Sequence, residues 1–203
     1  HKDAIDSAKK AGVKRIVYTS VVNPSHSSRF IWAGAHADTE AYLKKSGIAY
    51  TLLRDNPYAA NLDDLLVHAK ETGTFAIPGA KGKVAYVTHG DIAAAAAKVL
   101  TESGHENKVY DMTGPEALTG FDIADMVSDI LGLPVNGVDA DYDSFATMFA
   151  SMGLPQPVIE GLISFYAASG DQEYSGVSAH IESLAGRPAT KLRDHIRHVL
   201  GRI

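Results

Sequence analysis

Two stretches of the chain repeat one order of polar and apolar positions. Residues 8–20, AKKAGVKRIVYTS, and 43–55, LKKSGIAYTLLRD, each run from paired lysines through a glycine into a short apolar, β-rich segment. The lysines suit the last turn of a helix, where cations oppose the negative end of the backbone dipole. Gly12 and Gly47 suit the left-handed residue that closes such a helix. The runs Arg15–Tyr18 and Ala49–Leu53 then read as strands, apolar enough to be covered on both faces. Helix, glycine, strand, twice in succession, predicts αβ units around a parallel sheet.

The pattern continues less regularly. Tyr58–Lys70 predicts a helix stopped near Gly73, followed by short strands at Phe75–Ile77 and Val84–Val87 around the turn Pro78–Gly82. Thr88 with Asp91, and Thr119 with Asp122, have the spacing of capping boxes and predict helices ending near Gly104 and Gly132. Val109–Met112 and Val135–Val138 read as strands. Helical patterns at 142–151, 156–168 and 190–201 are broken by Gly153, Pro155, Gly170 and Gly186. An α/β fold is expected, with an α/β part over residues 1–112 and a smaller, mostly helical lobe over 113–203.

Composition narrows the chemistry. A chain of 203 residues, 45% hydrophobic and 21% charged, can bury a sizeable core without metal or disulfide staples. Cysteine is absent, which excludes thiol catalysis and Cys-ligated zinc. A net charge of −5 argues against a nucleic-acid or anionic-membrane surface. The longest apolar run, Ile92–Ala97, is far short of the ~20 residues of a membrane span. The opening His1–Gly12 is amphipathic and has no signal-peptide core. A cytoplasmic chain whose start resembles the middle of a domain is the expectation.

Ligands of open parallel sheets bind beyond the carboxyl ends of the strands. Two such ends are rich in hydrogen-bonding groups: Thr19-Ser20 with the loop Val21–Ser28, and Arg54-Asp55-Asn56-Pro57-Tyr58. Each taken singly also reads as ordinary strand ends and helix caps; together they point to a site. His36 and Glu40 share a helix face with Trp32. His36 could orient a ribose or donate a proton; the pair also reads as an ordinary surface or interface contact. His195 and His198 lack the further ligands a metal needs. Gly79–Gly82 reads as a hairpin turn, since a Walker pattern is absent. Lys191, Arg193 and Arg197 read as a solvated helix face. Phe145, Met148, Phe149, Met152, Phe165 and Tyr166 read first as core and second as the wall of a planar-ligand pocket.

The segments AGVKRIVYTS, AHADTEAYLKKSGIAYTLLRDNPYAAN and GKVAYVTHGDIAAAAAKVLTESGHENKVYDMTG resemble the NmrA-like branch of atypical short-chain dehydrogenases. MGLPQPVIEGL and SLAGRPATKLRDHI extend the resemblance across essentially the whole chain. The similarity is greatest to the bacterial NAD(P)H:quinone reductase and triphenylmethane reductase group. It implies a Rossmann-like NAD(P)-binding domain, a substrate lobe and hydride transfer from NADPH or NADH to a quinone- or dye-like acceptor, with no nucleic-acid or membrane partner. A homo-oligomer is left open. The resemblance places Asp55, Asn56, Pro57, Tyr58, Ala59 and Ala60 beside the nicotinamide, with Thr19 and Ser20 closing the cleft. It points to Tyr58 and His36 as the candidate catalytic residues, His36 also as a candidate ribose contact.

Two departures qualify that picture. The Tyr-x-x-x-Lys of ordinary short-chain dehydrogenases is replaced by Trp32 and His36, which disfavours carbonyl reduction by the usual phenol acid. A non-enzymatic dinucleotide sensor, as NmrA is, therefore stands as the alternative. The G-x-G-x-x-G turn that cradles a pyrophosphate is also missing. The resemblance implies about four upstream strands, roughly 80 residues at ~20 per βα unit, that this chain lacks. A fragment inactive by itself is the corresponding expectation.

Overall fold

The computed structural model describes residues 1–201. Helix α1 (Lys2–Lys10) leads into β1 (Arg15–Val21), α2 (Ala33–Ser46) and β2 (Ala49–Asp55). A 3-10 turn (Ala59–Leu62), α3 (Asp63–Thr72), β3 (Thr74–Pro78), α4 (His89–Thr101), β4 (Lys108–Met112), α5 (Gly120–Leu131) and β5 (Asn136–Ala140) follow. The chain then runs helically through α6 (Tyr142–Ser151), α7 (Gln156–Gly170), α8 (His180–Ala185) and α9 (Leu192–Gly201).

The strands form two parallel sheets, one ordered β1-β2-β4 and the other β3-β5. The α/β fold with parallel strands is the expected one. Successive residues of β2 serve opposite faces, as a strand's two-residue period requires. Leu52 packs with Ile5, Leu43 and Ile48, while Leu53 packs with Val87, Ile92, Val99 and Ile181. Both leucines are fully buried, each contributing about 1.5–3 kcal/mol by removal from water. A third and larger core joins α3, β3 and α5 with α9, through Leu66, Phe75, Ile123 and Ile196.

Local signals account for the helix ends. Thr88 accepts from the Asp91 amide, and Thr119 and Asp122 complete a reciprocal capping box. Gly47, Gly73 and Gly132 close their helices in the left-handed conformation.

Other elements differ from the sequence reading. Val84–Val87 is not a strand of a hairpin. It makes isolated bridges through Val84 to Leu118 and Val87 to Tyr58, while β3 pairs in parallel with the distant β5. The β-branched pattern at 84–87 reflects burial between segments, which an extended connection satisfies as well as a strand does. The helix expected over Tyr58–Lys70 is split, with Ala59–Leu62 wound as a 3-10 turn before α3 begins. Helix α8 was not anticipated; its Ile181 and Leu184 are buried against the core of α4 and β4.

β1 and β2 run in register to their carboxyl ends, where Ser20 lies opposite Arg54 and Val21 opposite Asp55. Two polar strand ends therefore emerge side by side, and β4 adds Met112 on the far side of Asp55.

Candidate active site

A cavity of about 540 Å³ opens at these strand ends, within the size range of small-molecule sites. Thr19 and Ser20 come from β1, His36 from the first turn of α2, and Asp55, Asn56, Pro57 and Tyr58 from the end of β2. Facing them are Phe30 and Trp32 from the β1–α2 connection, Phe149 from α6, and Phe165 and Tyr166 from α7. Tyr174, just beyond α7, completes the wall. The two strand ends singled out in the sequence thus meet at one cleft. Ala59 is instead fully buried in the core, and Ala60 does not line the cavity.

The polar wall is underbonded. Ser20 Oγ, Asp55 Oδ1 and Tyr174 Oη are buried and have no hydrogen-bond partner among the described residues. Asp55 Oδ2 accepts from the Tyr58 hydroxyl at 2.9 Å. Burial pushes the Asp55 carboxyl up to about 7, with the bond from Tyr58 pulling the other way. Burial, then the charge and hydrogen bond of Asp55, push the Tyr58 phenol far above its ordinary range. The His89 ring lies against Tyr58 with centroids 4.4 Å apart.

His36 and Glu40 do not form the surface pair that their spacing suggested. Glu40 is 3% exposed and accepts from Arg54 Nε and Nη2 at 2.9 and 2.7 Å, and from Lys44 Nζ at 3.3 Å. His36 Nδ1 instead meets the Tyr18 hydroxyl at 2.8 Å. Burial lowers the His36 pKa, partly offset by the Glu40 charge, so at neutral pH the ring stays largely uncharged.

Asn56 does structural service at the cleft. Its Nδ2 donates to the carbonyls of Ala85 and Tyr174, at 2.8 and 2.9 Å, and its backbone N–H donates to Met112 O at 2.9 Å. It thereby fastens three chain segments behind the polar wall. Part of the loop Val21–Ser28 is tied across to the segment after α7. Asn23 Nδ2 donates to Glu173 O, and Ser28 Oγ to the Glu173 carboxylate.

The side chains of the 142–166 segment divide between the cavity, the core and the surface. Phe149, Phe165 and Tyr166 line the cavity, Phe145 is core, and Met148 and Met152 are exposed. Phe30 and Tyr174 were missed, because neither lies in a periodic segment or a recognisable motif. Other candidates resolve simply. His195 bonds Asp63 at 2.7 Å, Arg193 bonds Asp129, and Arg197 bonds Asp194. Among the described residues there is no cluster of three or more metal-ligating side chains, and no helix is long and apolar enough to cross a membrane.

The NmrA-like family model matches residues 1–199. The chain belongs to the NmrA-like family. It is 35% identical over 199 residues to quinone oxidoreductase 2 of Escherichia coli, covering 98% of this chain and 69% of that protein. It is 31% identical over 185 residues to an NAD(P)H azoreductase of Xenophilus azovorans, covering 91% of this chain and 65% of that one. The chain thus spans about two thirds of the length of these relatives. Among solved structures, the Escherichia coli NADPH-dependent quinone oxidoreductase complexed with NADPH superposes with a TM-score of 0.90 at 35% identity, covering 98% of this chain and 70% of that one. Triphenylmethane reductase of Citrobacter complexed with NADP(H) gives 0.88 at 30% identity, covering 98% and 70%. The cleft lies at the carboxyl ends of β1 and β2, the end at which open parallel sheets bind ligands.

Proposed function

We propose that the protein is an NAD(P)H-dependent oxidoreductase that passes a hydride to a planar, quinone- or dye-like acceptor. The observation that carries this reading is the two-sided cleft. Polar strand ends form one wall, and Phe30, Trp32, Phe149, Phe165 and Tyr166 form the other. The names of the relatives, reductases of quinones, azo compounds and triphenylmethane dyes, support it.

The polar wall fits the nicotinamide end of a dinucleotide. A carboxamide and a ribose present both donors and acceptors, and Ser20 Oγ is a buried hydroxyl without a partner among the described residues. Thr19, Ser20 and the segment Asp55–Tyr58 would hold that end, with His36 near the ribose. When bound, the nicotinamide supplies the hydride. The residues of this chain orient and enclose. Aromatic side chains offer faces and edges against which a planar acceptor packs in offset or edge-on contact. The same rings displace water from the cleft, and holding two reactants in one orientation is itself worth several kcal/mol of barrier. A quinone asks for less acid assistance than an ordinary carbonyl, because reduction gives a stabilised hydroquinone anion. The replacement of Tyr and Lys by Trp32 and His36 is therefore compatible with this chemistry.

The test is consumption of NADPH or NADH by the full gene product, with a naphthoquinone, an azo dye and a triphenylmethane dye as acceptors. Dinucleotide oxidation in step with acceptor reduction is expected. Dinucleotide binding without consumption across the panel would favour a sensor, and no binding at all would remove both readings.

A further inference from the structure

Asp55 is buried, and its Oδ1 has no hydrogen-bond partner among the described residues. Its Oδ2 meets only the Tyr58 hydroxyl. Among the described residues neither Lys nor Arg lines the cavity, and the adjacent Arg54 is committed to Glu40. A buried carboxylate with one neutral donor and one bare oxygen is poorly stabilised, so the neutral acid is favoured.

The two ionisation states place one hydrogen differently. A carboxylate can only accept, so the anion fixes the Tyr58 hydrogen on Oδ2. A carboxylic acid protonated on Oδ2 can donate to Tyr58 Oη. The phenol hydrogen is then free to turn towards the cavity that Tyr58 lines.

The surrounding groups leave this exchange intact. β1 presents Ser20 and, opposite Asp55, Val21; β4 presents Met112 in register with Asp55, and Asp111 next to it opposite Arg54. Helix α2 contributes His36, engaged with Tyr18, and α4 contributes His89, packed on the Tyr58 ring. Tyr166 and Tyr174 close the cavity from α7 and beyond.

We propose that Asp55 and Tyr58 form a two-membered proton relay, in which protonated Asp55 frees the Tyr58 hydroxyl to donate to an oxygen of a quinone-type acceptor. This rests on the oxidoreductase reading and assigns the proton within it. Reducing a quinone to a hydroquinone adds one hydride, supplied by the reduced nicotinamide dinucleotide, and one proton. Tyr58 gives its proton to the acceptor oxygen and takes the Asp55 proton in its place. The carboxylate left on Asp55 regains a proton from solvent.

Two measurements on the dinucleotide-free gene product test the relay. In the first, carboxyl 13C NMR follows aspartate titration in wild type and in Asp55→Asn. One carboxyl that titrates at about 7, and is lost in the variant, is expected. In the second, calorimetry measures 1,4-naphthoquinone affinity against pH. Wild-type affinity should fall above neutral pH, by up to about tenfold per pH unit for one linked proton. Asp55→Asn keeps a permanent amide donor to Tyr58, so its affinity should stay at the low-pH level throughout. Tyr58→Phe should bind more weakly at low pH and show no pH dependence. An Asp55 titrating in the ordinary carboxylate range, a wild-type affinity constant through neutral pH, or no naphthoquinone binding at any pH overturns the relay. Such a result in a protein that still oxidises NAD(P)H with quinones removes the relay alone. Expected pH-linked binding without any NAD(P)H oxidation removes the reductase reading and leaves the Tyr58 donor in place.

Discussion

Arg54 grips the buried Glu40 carboxylate with two nitrogens, Nε at 2.9 Å and Nη2 at 2.7 Å, joining the end of β2 to the middle of α2. Burial works against the Glu40 charge, but the bonds and charge of Arg54, with smaller help from Lys44, hold its pKa below the usual carboxylate value.

Removing that carboxylate leaves Arg54, one residue before Asp55, without its partner. Breaking a buried pair costs about 3–5 kcal/mol. Arg54 is one-quarter exposed and can recover some hydration, so Glu40→Ala is expected to lose about 3 kcal/mol in urea unfolding. The sign with pH follows from the depressed pKa. The contribution of Glu40 is present above its unfolded pKa and is lost as pH falls through its lower folded value. Wild type should therefore weaken on acidification below about 4.5, and Glu40→Gln should lack that part of the acid dependence. An equal acid slope in both proteins would count against this role.

The contrast between Glu40 and Thr119 explains which features the sequence reveals. Thr119 and Asp122 lie three residues apart, so their capping box is written in local spacing. The same holds for Thr88 with Asp91 and for Gly47, whose left-handed conformation closes α2. The partner of Glu40 is 14 residues away on a strand, and only the packing of α2 against β2 brings them together. Local spacing suggested His36–Glu40 instead. Val84–Val87 failed for a related reason: an apolar run tells that a segment is buried, not which backbone it bonds. At the site, the ends of β1 and β2 were readable because parallel register aligns them. Phe30 and Tyr174 come from irregular connections, where no periodicity marks the side that faces inward.

Asp55 should carry an opposite pH signature. Its folded pKa of about 7 lies above the unfolded value of 3.8. Its favourable contribution is fully present below about 3.8 and is lost as pH rises through about 7. Above that, the buried charge costs on the order of 4 kcal/mol. Asp55→Asn should accordingly be more stable than wild type at alkaline pH, with the difference shrinking towards zero in acid. Thermal melts across the pH range decide this. A variant that is less stable than wild type at alkaline pH would mean that the carboxylate has a stabilising partner.

Trp32 lies against Gly161 so closely that a Cβ there would sit 2.3 Å from its ring. Ala is the better helix former by about 1 kcal/mol, which favours Gly161→Ala in α7. The half-exposed indole must swing away to make room. The expected outcome is little change in stability, an altered Trp32 fluorescence and weaker binding of planar acceptors, since Trp32 is part of the aromatic wall. Trp32 is the single tryptophan of these 203 residues, which makes its emission in this chain a direct reporter. Unchanged emission together with unchanged acceptor affinity would place the indole elsewhere.

Asp91 fastens the segment between α8 and α9 to the start of α4. It is fully buried. Its Oδ2 accepts from the Thr190 backbone N–H and the Thr88 hydroxyl, both at 2.9 Å. Its Oδ1 accepts from the Thr190 hydroxyl at 3.1 Å and pairs with Arg187 at 2.6 Å. Asp91→Ala strips all four bonds at once and leaves a backbone donor without its partner. Arg187 is about half exposed and can turn to water, so the loss should fall near the lower end of the buried-pair range, about 3 kcal/mol. Because Thr88 and Thr190 keep their own positions in sequence, the damage should concentrate where the two segments meet. Hydrogen exchange should quicken at the Thr190 amide and in the first turn of α4, ahead of β2. Uniform acceleration across the sheet would instead make Asp91 a determinant of the whole fold rather than of this junction.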